Sequence, residues 1–276
     1  MKQYLDLLRY VLANGKHRLV DAQGVGNIAV LGYQMRFSLA DGNGFPLLTT
    51  KRIPFRFVVG ELIWFLRGER RVDFLRKNNI TIWDPWATKE ACERYGLEEG
   101  DLGRIYGPQW IHWLKRDGGE INQIANLVES LKKDPNSKRH MVTAWNPEDV
   151  DGVFVAPCHG IFKCFVVDGV LSLHLFQRSA DVFIGVPFNI ASYSLLLLML
   201  AQVTGLKTGE FVHTTSDTHI YLNHVDQVKL QLSREPRPLP RIRLNAEVKD
   251  IFKFTFDDFR LEDYDPYPHI SAPVGI

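Results

Sequence analysis

Residues 160–179 read GIFKCFVVDGVLSLHLFQRS, two apolar runs that meet at Asp168-Gly169. Asp-Gly is a favoured two-residue hairpin connection because both positions tolerate positive φ, so the stretch predicts two antiparallel strands. Downstream, IASYSLLLLMLAQVT at 190–204 is apolar on nearly every side and stops at Gly205. It predicts a helix buried around most of its circumference. Upstream, HMVTAWNP at 140–147 reads as a strand, preceded by a helix over 121–131 and the polar DPNSKR. Near the start, Tyr4, Leu7, Leu8 and Val11 recur at helical spacing up to Gly15. IAVLGYQMRFSL at 28–39 reads as a strand between the glycine-rich DAQGVGN at 21–27 and a turn signal, DGNG, at 41–44. Residues 54–66 predict an apolar helix ending near Gly68, with Glu61 inside it. RLNAEV at 243–248 and VKDIFKFTFDDF at 248–259 favour strands, and REPRPLPR at 234–241 is a connection. Residues 81–107, with the charged KEACERYGLEEGD, predict a smaller, more exposed substructure. With no repeat, low-complexity tail or linker, one α+β domain over residues 1–276 is the economical expectation.

A composition of 45% hydrophobic and 24% charged residues argues against bulk disorder. Lys plus Arg total 33 against 32 acidic residues, so no global field draws the chain to nucleic acid. A few local arginines can still hold a small anion. Cys92, Cys158 and Cys164 show no metal-ligand spacing, so no metal is expected. The apolar run around 195–200 is too short to span a bilayer and no secretory cleavage segment is evident. Cytoplasmic location, without a membrane partner, is the expectation.

Several residue groups carry possible chemistry. In APCHG at 156–160, Cys158 is intrinsically nucleophilic once its thiolate is accessible, and His159 can alter the local field. A free cysteine is also commonly buried as a small hydrophobe. In QRSAD at 177–181, Gln177 precedes Arg178, whose donor fork suits phosphate, and Ser179 adds a hydroxyl. Asp181 can accept from the N–H groups of a planar heterocycle; a strand end with a surface arginine reads equally well. Asn189 in PFNIASY matches the O4/N3–H edge of uracil or, alternatively, caps the next helix. His219 and Tyr221 in DTHIYLNH share a strand face and suit a sugar hydroxyl or a structural pair. Glu61 among apolar neighbours needs a partner or a raised pKa. Trp83, Trp86, Tyr106 and Trp110 fit a core, or a stacking surface for a pterin. Lys138 and Arg139 fit phosphate or a solvated basic turn.

In order, QMRF at 34–37, PLLTTKR at 46–52, ELIWFLRG at 61–68, IWDPWA at 82–87 and DLGRIYGPQW at 101–110 resemble folate-dependent thymidylate synthase. So do APCHG, QRSAD, VPFNIASY, DTHIYLNH, LQLSREPRPLP at 230–240 and the terminal APVGI. The resemblance implies a single three-layer catalytic domain with a large mixed β-sheet and a long buried helix, its segment 81–107 variable. It implies that Cys158 adds to C6 of a pyrimidine nucleotide, making C5 nucleophilic, with Arg178 aiding the thiolate and binding phosphate beside Gln177 and Ser179. Asn189 would hold the base, Glu61 and Tyr106 would handle protons, and His219 and Tyr221 would hold the 3′-hydroxyl. The cofactor implied is 5,10-methylenetetrahydrofolate, which serves as carbon donor and reductant. Asp181, Trp83 and Phe188 would line its cleft, Lys51 would attract its polyglutamate tail, and the tail ending at Ile276 would close over it. The family forms homodimers whose phosphate site borrows two basic residues from the second subunit; Lys138 and Arg139 stand there.

Departures from the family pattern gather around the phosphate. Asp21-Ala22-Gln23-Gly24 replaces Asp-Arg-Thr-Gly, and Lys138 replaces the first borrowed arginine. Neither alanine nor lysine reproduces a bidentate fork. Gly60 stands where histidine often precedes the glutamate, and His213-Thr214-Thr215-Ser216 replaces a glycine-rich lead into DTH. The expectation is C5 methylation of dUMP with an altered nucleotide grip. The alternatives are a pyrimidine nucleotide 5-hydroxymethylase, a ribonucleotide substrate, or a non-catalytic nucleotide/folate-binding protein. Asparagine at 189 favours uracil, since the cytosine enzymes of this kind characteristically carry aspartate there.

Overall fold

The computed structural model describes residues 1–19, 24–40 and 42–274. Its helices are α1 (Lys2–Asn14), α2 (Phe55–Leu66), α3 (Asp73–Lys77), α4 (Lys89–Glu93), α5 (Tyr106–Ile111), α6 (Gln123–Lys133), α7 (Gly185–Thr204) and α8 (Val225–Leu232). The strands are β1 (Lys16–Arg18), β2 (Asn27–Ser38), β3 (Trp113–Leu114), β4 (Glu120–Ile121), β5 (Met141–Thr143) and β6 (Ile161–Val167). They continue with β7 (Val170–Asp181), β8 (Lys207–Tyr221), β9 (Arg241–Leu244) and β10 (Phe259–Glu262). Six strands form a mixed sheet in the order β1-β2-β8-β7-β6-β5, parallel only between β7 and β8. A parallel pair needs a long crossover, and α7 supplies it. The architecture is α+β, as the sequence implies.

The β6–β7 hairpin turns at Asp168 and Gly169 with φ of 50° and 73°, the double positive φ that favours Asp-Gly. Alternation then buries Phe162, Cys164, Leu171, Leu173 and Leu175 on one sheet face. Against that face lies α7, ended by Gly205 at φ 74° with its N–H bonded to the Ala201 and Gln202 carbonyls. By length and composition α7 is apolar enough to cross a membrane, yet 83% of its apolar window is buried inside the fold. It is the core helix.

Five boundaries differ from the sequence expectation, the first being the strand read at 243–248, which runs instead over Arg241–Leu244 and then turns. Helix α7 begins at Gly185 rather than 190. Pro187 is tolerated there because the first-turn N–H groups have no intrahelical partner. Asn189 therefore lies within the helix and is not its cap. Helix α6 starts after Ile121, which lies in β4 and pairs with Trp113 of β3, and Asn122 caps it by accepting from the Ala125 N–H at 2.8 Å. The strand expected at 140–147 contracts to Met141–Thr143. VKDIFKFTFDDF makes two 3₁₀ turns before β10, not one strand. Asp250 and a Thr255–Asp258 capping box satisfy backbone donors locally there, while Ile251 and Phe254 turn into the core.

Gly60 in α2 is explained by close packing. A Cβ there would come within 2.1 Å of Ile80 Cδ1 and 3.1 Å of Phe256 Cζ. Ile80 and Phe256 fill the space that a side chain at position 60 would need.

Candidate active site

Cys158 sits on the loop between β5 and β6, half-buried and held from both sides. Its N–H donates to the Tyr106 hydroxyl at 2.8 Å, and its carbonyl accepts the Arg178 N–H at 2.8 Å. The Arg178 guanidinium donates to the carbonyls of Pro157 at 3.0 Å and Ala156 at 2.7 Å. One of its nitrogens lies 3.9 Å from Cys158 Sγ. Burial raises the thiol pKa, while the Arg178 charge and the Tyr106 hydroxyl pull it down. The net shift is upward, and the cation that opposes it is Arg178. His159 cannot share that task, because burial and the nearby His213 push its pKa down to about 3. It is a neutral ring stacked on Tyr106 at 4.1 Å, with Nδ1 2.8 Å from the Tyr193 hydroxyl.

Glu61, carried inward by α2, accepts the Trp83 indole N–H at 2.8 Å. Burial pushes its pKa up to about 7 despite that bond. Partner and raised pKa therefore both occur. Tyr106 is buried between this carboxyl and the thiol; desolvation above all, then the Cys158 charge, drives its pKa well above the usual value. Trp83 packs on Trp86 at 5.5 Å and edge-on to Tyr106 at 6.0 Å. Trp110 instead packs into the core against Phe65 and Phe162.

The end of β7 and the start of α7 supply further polar groups. Gln177 is buried, its amide oxygen 2.8 Å from His213 Nε2 and its nitrogen donating to the Ser179 carbonyl at 2.9 Å. Asp181 Oδ1 accepts the N–H groups of Phe183 and Ile184, while Oδ2 takes no hydrogen bond among the described residues. Asn189 is only 8% exposed, yet among the described residues its side-chain amide takes no hydrogen bond. Its amide atoms are not sealed from solvent, so a planar ligand edge can reach them. Phe188 is half-buried beside it in sequence.

His219 and Tyr221 do share a face, with ring centroids 5.0 Å apart. Two residues that the motif reading passed over stand behind them. His219 Nδ1 lies 3.0 Å from Asp217 Oδ1, and Arg18 grips both Asp217 oxygens at 2.8 and 2.6 Å. Asp217 opens the DTHIYLNH motif, but Arg18 lies 199 residues from it, so no local pattern could expose that pair. His224 is a third: fully buried, it lies 2.7 Å by Nε2 from the Pro273 carbonyl of the terminal tail.

Lys51 is buried, donating to the Phe183 carbonyl at 2.5 Å and lying 3.5 Å over that ring. Burial lowers its pKa to about 7, with Asp181 opposing the shift. Lys138 and Arg139 stand on an exposed turn before β5, outside the Cys158 cluster. Ala22 and Ile276 lie outside the described residues.

The thymidylate synthase family model matches residues 2–276, from the first turn of α1 to the last residue. A match of that extent covers every element that positions Cys158, Glu61 and Asn189, and the chain belongs to the thymidylate synthase family.

Proposed function

We propose that this chain carries out the folate-dependent one-carbon transfer implied by its family as reductive methylation of dUMP to dTMP. The observation that carries this reading is the hold on Cys158: Arg178 within 3.9 Å of the sulfur and Tyr106 on its backbone N–H. A nucleophilic thiol needs a fixed cation nearby to offset the burial that raises its pKa, and Arg178 stands in that place. Cys158 adds to C6 of the base, and Asn189 pairs with the O4/N3–H edge and stabilises charge at O4. Glu61 and Tyr106 manage the proton at O4. Arg178, Gln177 and Ser179 meet the nucleotide's phosphate end, and His219 with Tyr221 holds the 3′-hydroxyl.

Asp181 Oδ2, without a hydrogen bond among the described residues, and the small exposed edge of Trp83 fit a pterin, with Phe188 along the cleft. When bound, 5,10-methylenetetrahydrofolate supplies the carbon and the reducing equivalent. Lys51, on leaving the Phe183 carbonyl, draws in its polyglutamate tail, and the terminal segment, held at Pro273 by His224, covers the site and keeps water out. One catalytic domain, working in the cytoplasm, accounts for these roles.

The assay that tests this reading offers a panel of pyrimidine nucleotides with methylenetetrahydrofolate and reads both products. A 5-methyl nucleotide with dihydrofolate supports it. A 5-hydroxymethyl nucleotide with tetrahydrofolate means that water, not hydride, completes the reaction, and no product from any nucleotide points to a binding protein.

A homodimer completes the phosphate site through Lys138 and Arg139 of each subunit. Its supporting feature is the sheet face away from α7, where Met141, Phe165, Val167 and Phe176 are 57%, 62%, 48% and 42% exposed. Apolar surface of that kind needs a cover. Phe165→Asp is expected to halve the mass by light scattering and remove turnover together, with secondary structure retained. A folded, active monomer would contradict the shared site.

Ala22→Arg restores the family's loop cation. It is expected to tighten dUMP binding by about tenfold, the worth of one charge-assisted phosphate contact. Unchanged affinity by calorimetry, with the fold intact, would remove loop chemistry as the reason for a weakened grip.

A further inference from the structure

We infer that Arg18 is a positioning residue for sugar recognition, acting through Asp217 to fix the ring and tautomer of His219. This rests on the proposed sugar role of His219 and Tyr221. Arg18 closes β1, where it pairs in register with Asn27 of β2, and its Nε donates to the Asn27 side-chain oxygen at 2.9 Å. The two terminal nitrogens take one Asp217 oxygen each, at 2.8 and 2.6 Å. The planar fork stops the carboxylate from rotating, which a lysine's point charge cannot do.

Asp217 then presents Oδ1 to His219 Nδ1 at 3.0 Å. Hydrogen bonds from His219, and next from Arg18, hold the Asp217 carboxyl well below its usual range, so it is an acceptor only. Nδ1 must therefore carry the proton. In the neutral ring Nε2 is left as the acceptor, ready for a hydroxyl that donates. The His219 ring is 6% exposed and packs edge-on to Tyr221, so a small change in carboxylate orientation is felt at Nε2. The Arg18 and Asp217 side chains are 44% and 40% exposed, and an ion pair so open to solvent contributes little to stability, so the fork's worth lies in orientation.

The test measures dissociation constants of dUMP and its 2′,3′-dideoxy analogue for wild type, Arg18→Gln, Arg18→Lys and His219→Ala. Thermal midpoints are recorded alongside. Wild type is expected to prefer the 3′-hydroxyl. In Arg18→Gln that preference falls about three- to tenfold through dUMP alone, with an intermediate fall in Arg18→Lys. A general loosening of the structure, or a disturbed phosphate grip, weakens both nucleotides equally and leaves the preference intact. If Arg18→Gln keeps the wild-type preference while His219→Ala loses it, the inference is overturned and the sugar role stands. If wild type shows no preference, both fall.

Discussion

Cys158→Ser is expected to lose turnover by roughly 10⁴-fold or more while binding dUMP within a few-fold of wild type. The reason lies in what holds residue 158. Its backbone is fixed by Tyr106 and Arg178 irrespective of the side chain, so serine occupies the same place without strain. Arg178, 3.9 Å away, favours an anion that even a buried thiol reaches far more readily than an alcohol. The measurement is tritium release from 5-tritiated dUMP with methylenetetrahydrofolate, beside nucleotide affinity. Release undiminished in the serine variant would show that C5 is activated without sulfur.

Glu61→Gln is expected to lower turnover by about 10²- to 10⁴-fold, the usual worth of a positioned proton-transfer group. Glutamine still accepts from Trp83 at the same place, so nucleotide and folate affinity should barely change. The pH dependence carries a signature. Glu61 is protonated below about 7 and ionised above, so a limb near pH 7 in the wild-type kcat/KM profile should vanish in the glutamine variant. Lys51 also titrates near 7, and Lys51→Met should leave the Glu61 limb in place.

Stability separates these two groups by sign. Between the ordinary glutamate value of 4.5 and about 7, the native state binds the extra proton at Glu61. Its contribution is therefore lost as pH rises through that window. For Lys51 the unfolded chain holds the extra proton between about 7 and 10.5, so stability rises with pH there. Denaturant melts across pH should flatten in the lower window for Glu61→Gln and in the upper window for Lys51→Met.

The parts of this molecule that follow a local rule were legible in the sequence. Asp168-Gly169 names its own turn, Gly205 ends its own helix, and the alternation from Ile161 to Leu175 declares one buried sheet face. Glu61 announced itself by contrast with its neighbours. Regions where a short-range side-chain turn overrides the apolar pattern, or where distant partners meet, were not legible. The α7 start at Gly185 depends on Asp181 accepting two backbone N–H groups ahead of the helix. VKDIFKFTFDDF alternates like a strand, but its acidic residues close turns first. At the site, Cys158, Arg178 and Asn189 could be named from their motifs. That Tyr106 links the thiol to the Glu61 side, or that Arg18 stands behind His219, required the folded chain.

The central claim is that Cys158 forms a carbon–sulfur bond to C6 of a uracil nucleotide. Intact-protein and peptide mass spectrometry with 5-fluoro-dUMP and methylenetetrahydrofolate tests it, because fluorine at C5 cannot leave as a proton does. The account predicts a mass increase on the peptide containing Cys158 and none in Cys158→Ser. Saturating nucleotide binding with no adduct, or an adduct on Cys92 or Cys164, would contradict it.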